Sequence, residues 1–398
     1  MDAINLLGAC VALCAALLGV RIAGRWTPPL PEGRCVTIDG LRGFLAFGVF
    51  LHHGIVFYSY SKTGIWKLPT ANVFVNLGQA SVALFFMITS FLFYGMLRRQ
   101  QGGTVDWLRL YCSRVVRLTP LYLFAMALLL LIVGIETGWQ LREPVGTLLL
   151  HIGRWLGFTA LGMPDINGLT RTYIITSGVT WSLPYEWAFY LSLPLLALTQ
   201  RIRVPVGYLL ASVLTVVAVA GYAVVKHPGA QHLCAFIGGA LAVHASAIPA
   251  VRRFAQRGIG SVTLSLLLLG AYAGFHTAYQ AGSMLLLISA FTLIAAGCGL
   301  FGVLQARVSR IFGEFAYSIY LLHGITLYTV FELLIRADRV AQFTPLQFWG
   351  VMTVLAPVLV ILCSLTFRMI ETPGMQCLPT LVRALRRPSP ATVQRAGA

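Results

Sequence analysis

Acidic side chains are what this sequence lacks most. Its 398 residues hold only 12 Asp and Glu against 29 Lys and Arg, and charged residues of both signs make up 10% of the chain. Soluble domains carry about a quarter charged residues, so an ordinary soluble globular domain is excluded. None of the 8 cysteines forms a CxxC pair, so neither a disulfide framework nor a metal site follows, and the cysteines read as small hydrophobes. Internal repeats and inverted pairs of Gly- or Pro-broken helices are missing too. The longest stretch outside the apolar runs, 136–178, is too short and too apolar for an independent catalytic domain. Any chemistry must therefore happen in the membrane body.

What is present is apolar surface. The chain is 58% hydrophobic with a mean hydropathy of +0.81. Apolar segments fall at roughly 4–20, 43–60, 73–97, 118–135, 179–199, 206–225, 231–248, 260–279, 282–304, 312–335 and 346–367. Each can cross about 30 Å of hydrocarbon as a helix, the open-ended element that satisfies its own backbone there. The expected fold is an all-α integral membrane protein of about 11 transmembrane helices, an N-terminal anchor followed by a ten-helix core.

A net charge of +17 also fits a nucleic-acid partner, but the placement of the charge favours topology. Assigning alternate loops to one side gathers 21 of the 29 Lys and Arg there. That side is expected to be cytoplasmic, with the N-terminus outside and the C-terminus inside. Segment 145–162, apolar but carrying His151 and Arg154, is read as an interfacial or re-entrant helix, because a full span there would invert the bias of everything after it. The first apolar run has its arginines after it and no cleavage-like site, the reverse of a secretory signal, so it is read as a retained anchor. The expected organisation is an anchor and linker over 1–35, a membrane domain over 36–373 and a disordered cytoplasmic tail over 374–398.

Several polar residues interrupt the apolar runs. In IDGLRGFLAFGVFLHHGIVF, Asp39 precedes a long apolar helix and suits an N-cap. Arg42 and His53, eleven positions apart, share one helix face at about 16 Å of axial distance. An ionisable residue at the depth of His53 is a candidate functional group, although a structural bond between helices is the plainer alternative; His52, about 100° round the helix, reads as the packing member. Arg114 and Arg117 in SRVVRLTPLY lie on one face at an expected cytoplasmic helix start, either as topology anchors or as a fork for phosphate. Glu186 in TWSLPYEWAFY calls for an arginine or histidine partner. Tyr320 and His323 lie one turn apart in GEFAYSIYLLHGITLY, and FRMIETP closes the last span with Arg368 and Glu371, which together read as a rim salt bridge or as a site. A proton-relay transporter explains a buried Arg, His and Glu as well as an enzyme does.

The order and spacing of these motifs resemble the acyltransferase family 3 of membrane proteins, from about 36 to 373. The family's (L/I)DGLRG opening and its Arg, ten residues, His are matched by Arg42 and His53, and its RxxR pair by Arg114 and Arg117. Its WSLxxExxFY, SYSxYLxH and FRxxExP patterns are matched around Glu186, His323 and Glu371. SVALFFMITSFLFY resembles a further family stretch, with Thr89 and Ser90 standing where the family has Ser and Gly. The resemblance implies an acyl-CoA-dependent O-acyltransferase of the stand-alone type in a bacterial inner membrane. It would move acetyl from acetyl-CoA to a hydroxyl of a cell-surface glycan such as O-antigen or exopolysaccharide, with the lipid bilayer, the donor and the glycan as partners and no metal. On that expectation Arg42, Arg114 and Arg117 bind the CoA phosphates and His53 is the general base. Glu186 and His323 orient it or the acceptor hydroxyl, Tyr320 donates to the oxyanion, and Asp39, Arg368 and Glu371 are structural or orienting.

Overall fold

The computed structural model describes residues 5–27, 35–226 and 231–386, and these are helical with no strand among them. In chain order the helices are α1 (Leu6–Ala23), α2 (Val36–Thr63), α3 (Asn72–Arg99), α4 (Trp107–Glu136), α5 (Val145–Leu156), α6 (Ser182–Thr199), α7 (Val206–Lys226) and α8 (Gln231–Ala245). They continue as α9 (Pro249–Ala255), α10 (Gly258–Ala273), α11 (Ala281–Ala295), α12 (Arg307–Glu314), α13 (Ala316–Tyr328), α14 (Ala337–Val340), α15 (Pro345–Thr366), α16 (Thr372–Gln376) and α17 (Leu378–Arg386). Each apolar segment marked in the sequence overlaps a helix.

Among the described residues, six helical stretches are long and apolar enough to cross a membrane, or seven if α8 and α9, bent by 102° at their junction, count as one span. Three shorter apolar helices, Val206–Gly221, α10 and α11, accompany them. The protein is therefore a multi-pass membrane protein. Segment 145–162 forms the 12-residue helix α5 followed by turns; at about 18 Å that helix is too short to cross about 30 Å of hydrocarbon.

The centre of the bundle is α2, which packs on α3, α12 and α13 and has 83% of its apolar window buried. Close helix approach without a hydrophobic drive requires small residues at the contact. Gly40 lies against the Leu304 carbonyl, and Gly313 of α12 lies against the Asp39 carbonyl, so a methyl group at either would collide with backbone. The α3–α8 contact uses the same device from the other side. Gly239 of α8 lies on the backbone of Met87. The helix of the expected anchor packs along α15 and touches α12.

Three expectations need correction. Asp39 is not an N-cap: α2 begins three residues earlier, at Val36, with Cys35 at the cap and no side-chain cap bond, so Asp39 sits in the first turn. There its negative charge still faces the positive end of the helix dipole. Nor do Arg114 and Arg117 begin a helix, because α4 starts at Trp107, capped by Asp106 accepting from the Arg109 amide at 3.1 Å. Pro120, inside α4, leaves the Val116 carbonyl without its helical donor, and Gly374 of α16 fits against that gap. Finally, the tail expected to be disordered from 374 is helical through Arg386 and packs on α4; residues 387–398 lie outside the described ones. Its apolar face, with Val382 buried, explains the order.

Candidate active site

Among the described residues, cavities open inside the bundle towards opposite ends of α2. The first, of about 1060 Å³, is lined by Arg42 from α2, Arg98 and Arg99 from the end of α3, Arg114 and Arg117 from α4, and Arg252 at the α8–α9 bend. Asp39, Glu186, Tyr190 and Tyr320 also face it. Arg98 and Arg99 close α3, whereas Arg42, Arg114 and Arg117 lie about two to three turns inside α2 and α4, and their long side chains reach one interior cleft. Arg114 stacks over Phe93 at 5.1 Å and over Tyr190 at 5.9 Å, and the Tyr190 hydroxyl donates to Glu186. Arg117 has Arg42 and Arg114 as neighbours of like charge and Glu371 and Glu314 as neighbours of opposite charge. Crowded guanidinium groups of one sign with a phenyl platform make a site for a polyanion that also carries flat or apolar parts.

The second cavity, of about 690 Å³, is lined by His52 and His53, by Trp66 and Lys67 in the loop after α2, and by Gln79 of α3. Gln231 and His232 at the start of α8 and Thr277 and Tyr279 between α10 and α11 close it. Val82 and Tyr320 line both cavities and so form the wall between them.

At the second cavity the histidines form a bonded array. His323, fully buried on α13, places its Nε2 3.0 Å from His53 Nδ1 and its own Nδ1 2.9 Å from the Ile319 carbonyl. A carbonyl only accepts, so the His323 proton is on Nδ1 and its Nε2 is an acceptor. His53 Nδ1, 3.1 Å from the Val49 carbonyl as well, therefore faces two acceptors and must carry its own proton. That fixes the tautomer and leaves the lone pair of neutral His53 on Nε2, the edge turned away from α13. His52 is tied separately: its Nδ1 donates to the Phe74 carbonyl at 2.7 Å, and its ring lies on Gly78, where no larger residue fits.

The sequence-marked residues divide between the cavities. Arg42, Arg114 and Arg117 come together, and so do His53 and His323. Glu186 does not reach His53: it lies in the arginine cavity, bonded to Tyr190 one helical turn further on. Tyr320 is committed elsewhere, since its hydroxyl lies 2.7 Å from Ser182 Oγ and 3.0 Å from the Val179 carbonyl, and in either proton arrangement its one hydrogen is used. Glu371 is 1% exposed and accepts from Ser318, whereas Arg368 is exposed. The wider π-turn over Phe367–Glu371 separates residues three apart, so the expected rim salt bridge does not form. Arg98, Arg99 and Arg252 belong in the sequence to the charge bias alone, and only the fold shows that they converge on this cavity.

Among the described residues, no three His, Cys, Asp or Glu side chains gather as a metal site would need. A bundle of apolar helices holding a cationic cleft on one side of an internal wall and a histidine pair on the other defines a multi-pass membrane protein with a polar interior site. The family model described as an acyltransferase domain, that of acyltransferase family 3, matches residues 36–368, and the chain belongs to that family. Comparison with curated proteins and with solved structures returned no match.

Proposed function

We propose that the protein transfers acetyl from acetyl-CoA to a hydroxyl of a cell-surface glycan, with His53 as the general base. The observation that carries this reading is the His53–His323 pair, whose bonding leaves Nε2 as the free ring nitrogen of His53, a residue lining a cavity that shares a wall with the arginine cleft.

The donor enters the arginine cavity, which the charge bias of the sequence assigns to the cytoplasmic side, and its phosphates bind Arg42, Arg114 and Arg117, with Arg98, Arg99 and Arg252 around them. Arg42 and His53 are about 16 Å apart along α2, a distance suited to an extended pantetheine arm passing Val82 and Tyr320. The acceptor hydroxyl lies in the histidine cavity. As its oxygen attacks the thioester carbonyl, its proton passes to His53 Nε2. The C–S bond then breaks, the acetyl stays on the acceptor oxygen as an ester, and the proton on His53 passes to the departing sulfur.

His323 makes the step easier in two ways. It holds His53 in the tautomer with Nε2 free, and its own Nε2 accepts from the imidazolium while the cation lasts. Tyr320 and Ser182 hold the Val179 carbonyl and the wall between the cavities. Glu186 offsets part of the cationic charge and fixes Tyr190 beneath Arg114. A transporter remains a reading of the sequence alone, and no feature of either cavity favours it over a transferase.

The test is thiol release from acetyl-CoA by membranes carrying wild-type protein or His53→Ala, together with mass analysis of the surface glycan. Loss of acetylation with retained acetyl-CoA binding is the expected result. Normal glycan acetylation by the His53→Ala protein would end the proposal.

A further inference from the structure

The histidine cavity holds two polar atoms that neither the fold nor the base chemistry uses. Tyr279 Oη and His232 Nδ1 are buried and have no hydrogen-bond partner among the described residues, and both residues line this cavity. Their rings meet edge to face at 4.3 Å although they come from different elements, the α10–α11 loop and the first turn of α8. A buried donor or acceptor left unmade costs about 1–3 kcal/mol, so two side by side in one cavity point to a ligand that satisfies them.

The loop that presents Tyr279 is fixed by one polar stripe. Asn72, Asn76 and Gln79 follow one another at helical spacing on α3 and reach its backbone or side chains in turn. Asn72 Oδ1 meets His276 Nδ1 at 2.8 Å, and Asn76 Nδ2 donates to the carbonyls of Tyr272 and Phe275 at 3.1 and 2.7 Å. Gln79 Oε1 accepts from Thr277 Oγ1 at 2.5 Å and from the Ala278 amide at 3.3 Å. Such a loop is set before any ligand arrives, which is how binding loops avoid an ordering cost. Aromatic faces complete the cavity. Trp181 lies 5.0 Å from the His232 ring, and Trp66 is nearly parallel to His53 at 6.5 Å.

We propose that Tyr279 and His232 are the residues that bind acceptor hydroxyls in this cavity. The ligand class is a saccharide ring, which offers hydroxyls at its edge and C–H groups on its face to the electron-rich indoles of Trp66 and Trp181. The proposal rests on the transferase reading and adds to it the residues that recognise the acceptor.

The probes are octyl glycosides of glucose, galactose, mannose and rhamnose, offered with acetyl-CoA to purified protein in detergent, with thiol release and acetyl-glycoside mass as readouts. Tyr279→Phe removes only an oxygen that has no partner among the described residues. The expected result is a roughly two- to tenfold rise in acceptor KM with kcat and acetyl-CoA KM nearly unchanged, and a melting temperature equal to or above wild type. His232→Gln serves as the second variant and should raise the same KM. Unchanged acceptor KM in both variants, or a fall in melting temperature with no KM effect, overturns the proposal. Wild-type protein that binds acetyl-CoA but acetylates none of the glycosides overturns the saccharide subsite while leaving the donor site standing. Failure of wild type to bind acetyl-CoA overturns both readings.

Discussion

His53 and His323 are 270 residues apart in the chain and bonded at 3.0 Å in the folded protein, Nδ1 to Nε2. The bond turns two ordinary helix histidines into a base and its support. Removing either partner should therefore have distinguishable effects. His53→Ala removes the proton acceptor, and the rate should fall at least about 10²-fold, the range of general-base catalysis. His323→Leu should cost less, about 10- to 100-fold in kcat with acetyl-CoA KM unchanged, because the base survives without its orienting acceptor. His323→Gln, whose side-chain oxygen can accept from Nδ1–H of His53, should recover part of that loss. A His323→Leu enzyme as fast as wild type would remove His323 from the mechanism.

The arginine cleft predicts a donor-affinity phenotype. Arg114→Ala or Arg117→Ala should weaken acetyl-CoA binding by roughly 10- to 100-fold, the scale of one charge-assisted hydrogen bond. Arg98→Ala, Arg99→Ala and Arg252→Ala should each weaken it less, since these side chains sit at the rim of the same cavity. Wild-type affinity should fall with added salt, and the fall should be shallower in each variant. Titration calorimetry on detergent-purified protein decides this. If donor affinity is indifferent to Arg114 and Arg117, they are topology charges and nothing more.

How much of this could be read from the chain depends on the range of the interaction. The spans were legible because burial in lipid demands long apolar runs, and a run is local. The RxxR spacing and the Arg42–His53 spacing were legible for the same reason, as one helix sets both. That His323 rather than Glu186 meets His53 was not, because each was equally apolar in context and only the crossing of α2 with α13 decides between them. Asp39 looked like a cap because VTI before it reads as extended chain, whereas packing on α12 extends the helix back to Val36. Tyr279 and His232 left no local trace at all: their significance is a hydrogen bond unmet among the described residues, which only the fold reveals.

The close approach of α2 and α12 gives a folding prediction. Gly313 faces the Asp39 carbonyl, so Gly313→Val puts a branched side chain where backbone already lies. Overpacking of this kind costs roughly 1–3 kcal/mol or more, and the variant should fail to accumulate in membranes at the growth temperature. Gly350→Ala on α15, which meets open space, is the matched control and should be neutral. Equal membrane levels of the two variants would show that the helices can part without cost.

Glu371 and Ser318 join the last long helix to α13 beside Arg117. Glu371→Ala strands a buried hydroxyl and leaves Arg117 short of an opposite charge. We expect a loss of about 1–3 kcal/mol in thermal unfolding and weaker donor binding together. Ser318→Ala should destabilise less and leave donor binding alone, because the carboxylate remains. A donor affinity that follows Ser318 as closely as Glu371 would mean that the bond, and not the charge, supports the arginine cleft.

The order of α17 is predicted to depend on two attachments of different kinds. Val382 is buried, and Arg386 at the end of the helix binds the Asp106 carboxylate that also caps α4. The Arg386 hydrogen bond, then the Arg109 amide and the charges of both arginines, hold the Asp106 carboxyl below the usual carboxylate range. Because the folded value is depressed, the stabilisation is present at neutral pH and is lost only as pH falls through that lowered value. The pair is solvent-exposed, so the apolar contact should dominate. Trypsin cleavage at Arg383 should therefore quicken slightly in Arg386→Ala and strongly in Val382→Asp, with acetyl-CoA binding retained in both. If Arg386→Ala quickens cleavage as much as Val382→Asp does, the ion pair carries the attachment. Cleavage in that case should also rise in wild type once the pH drops below the range in which Asp106 stays charged.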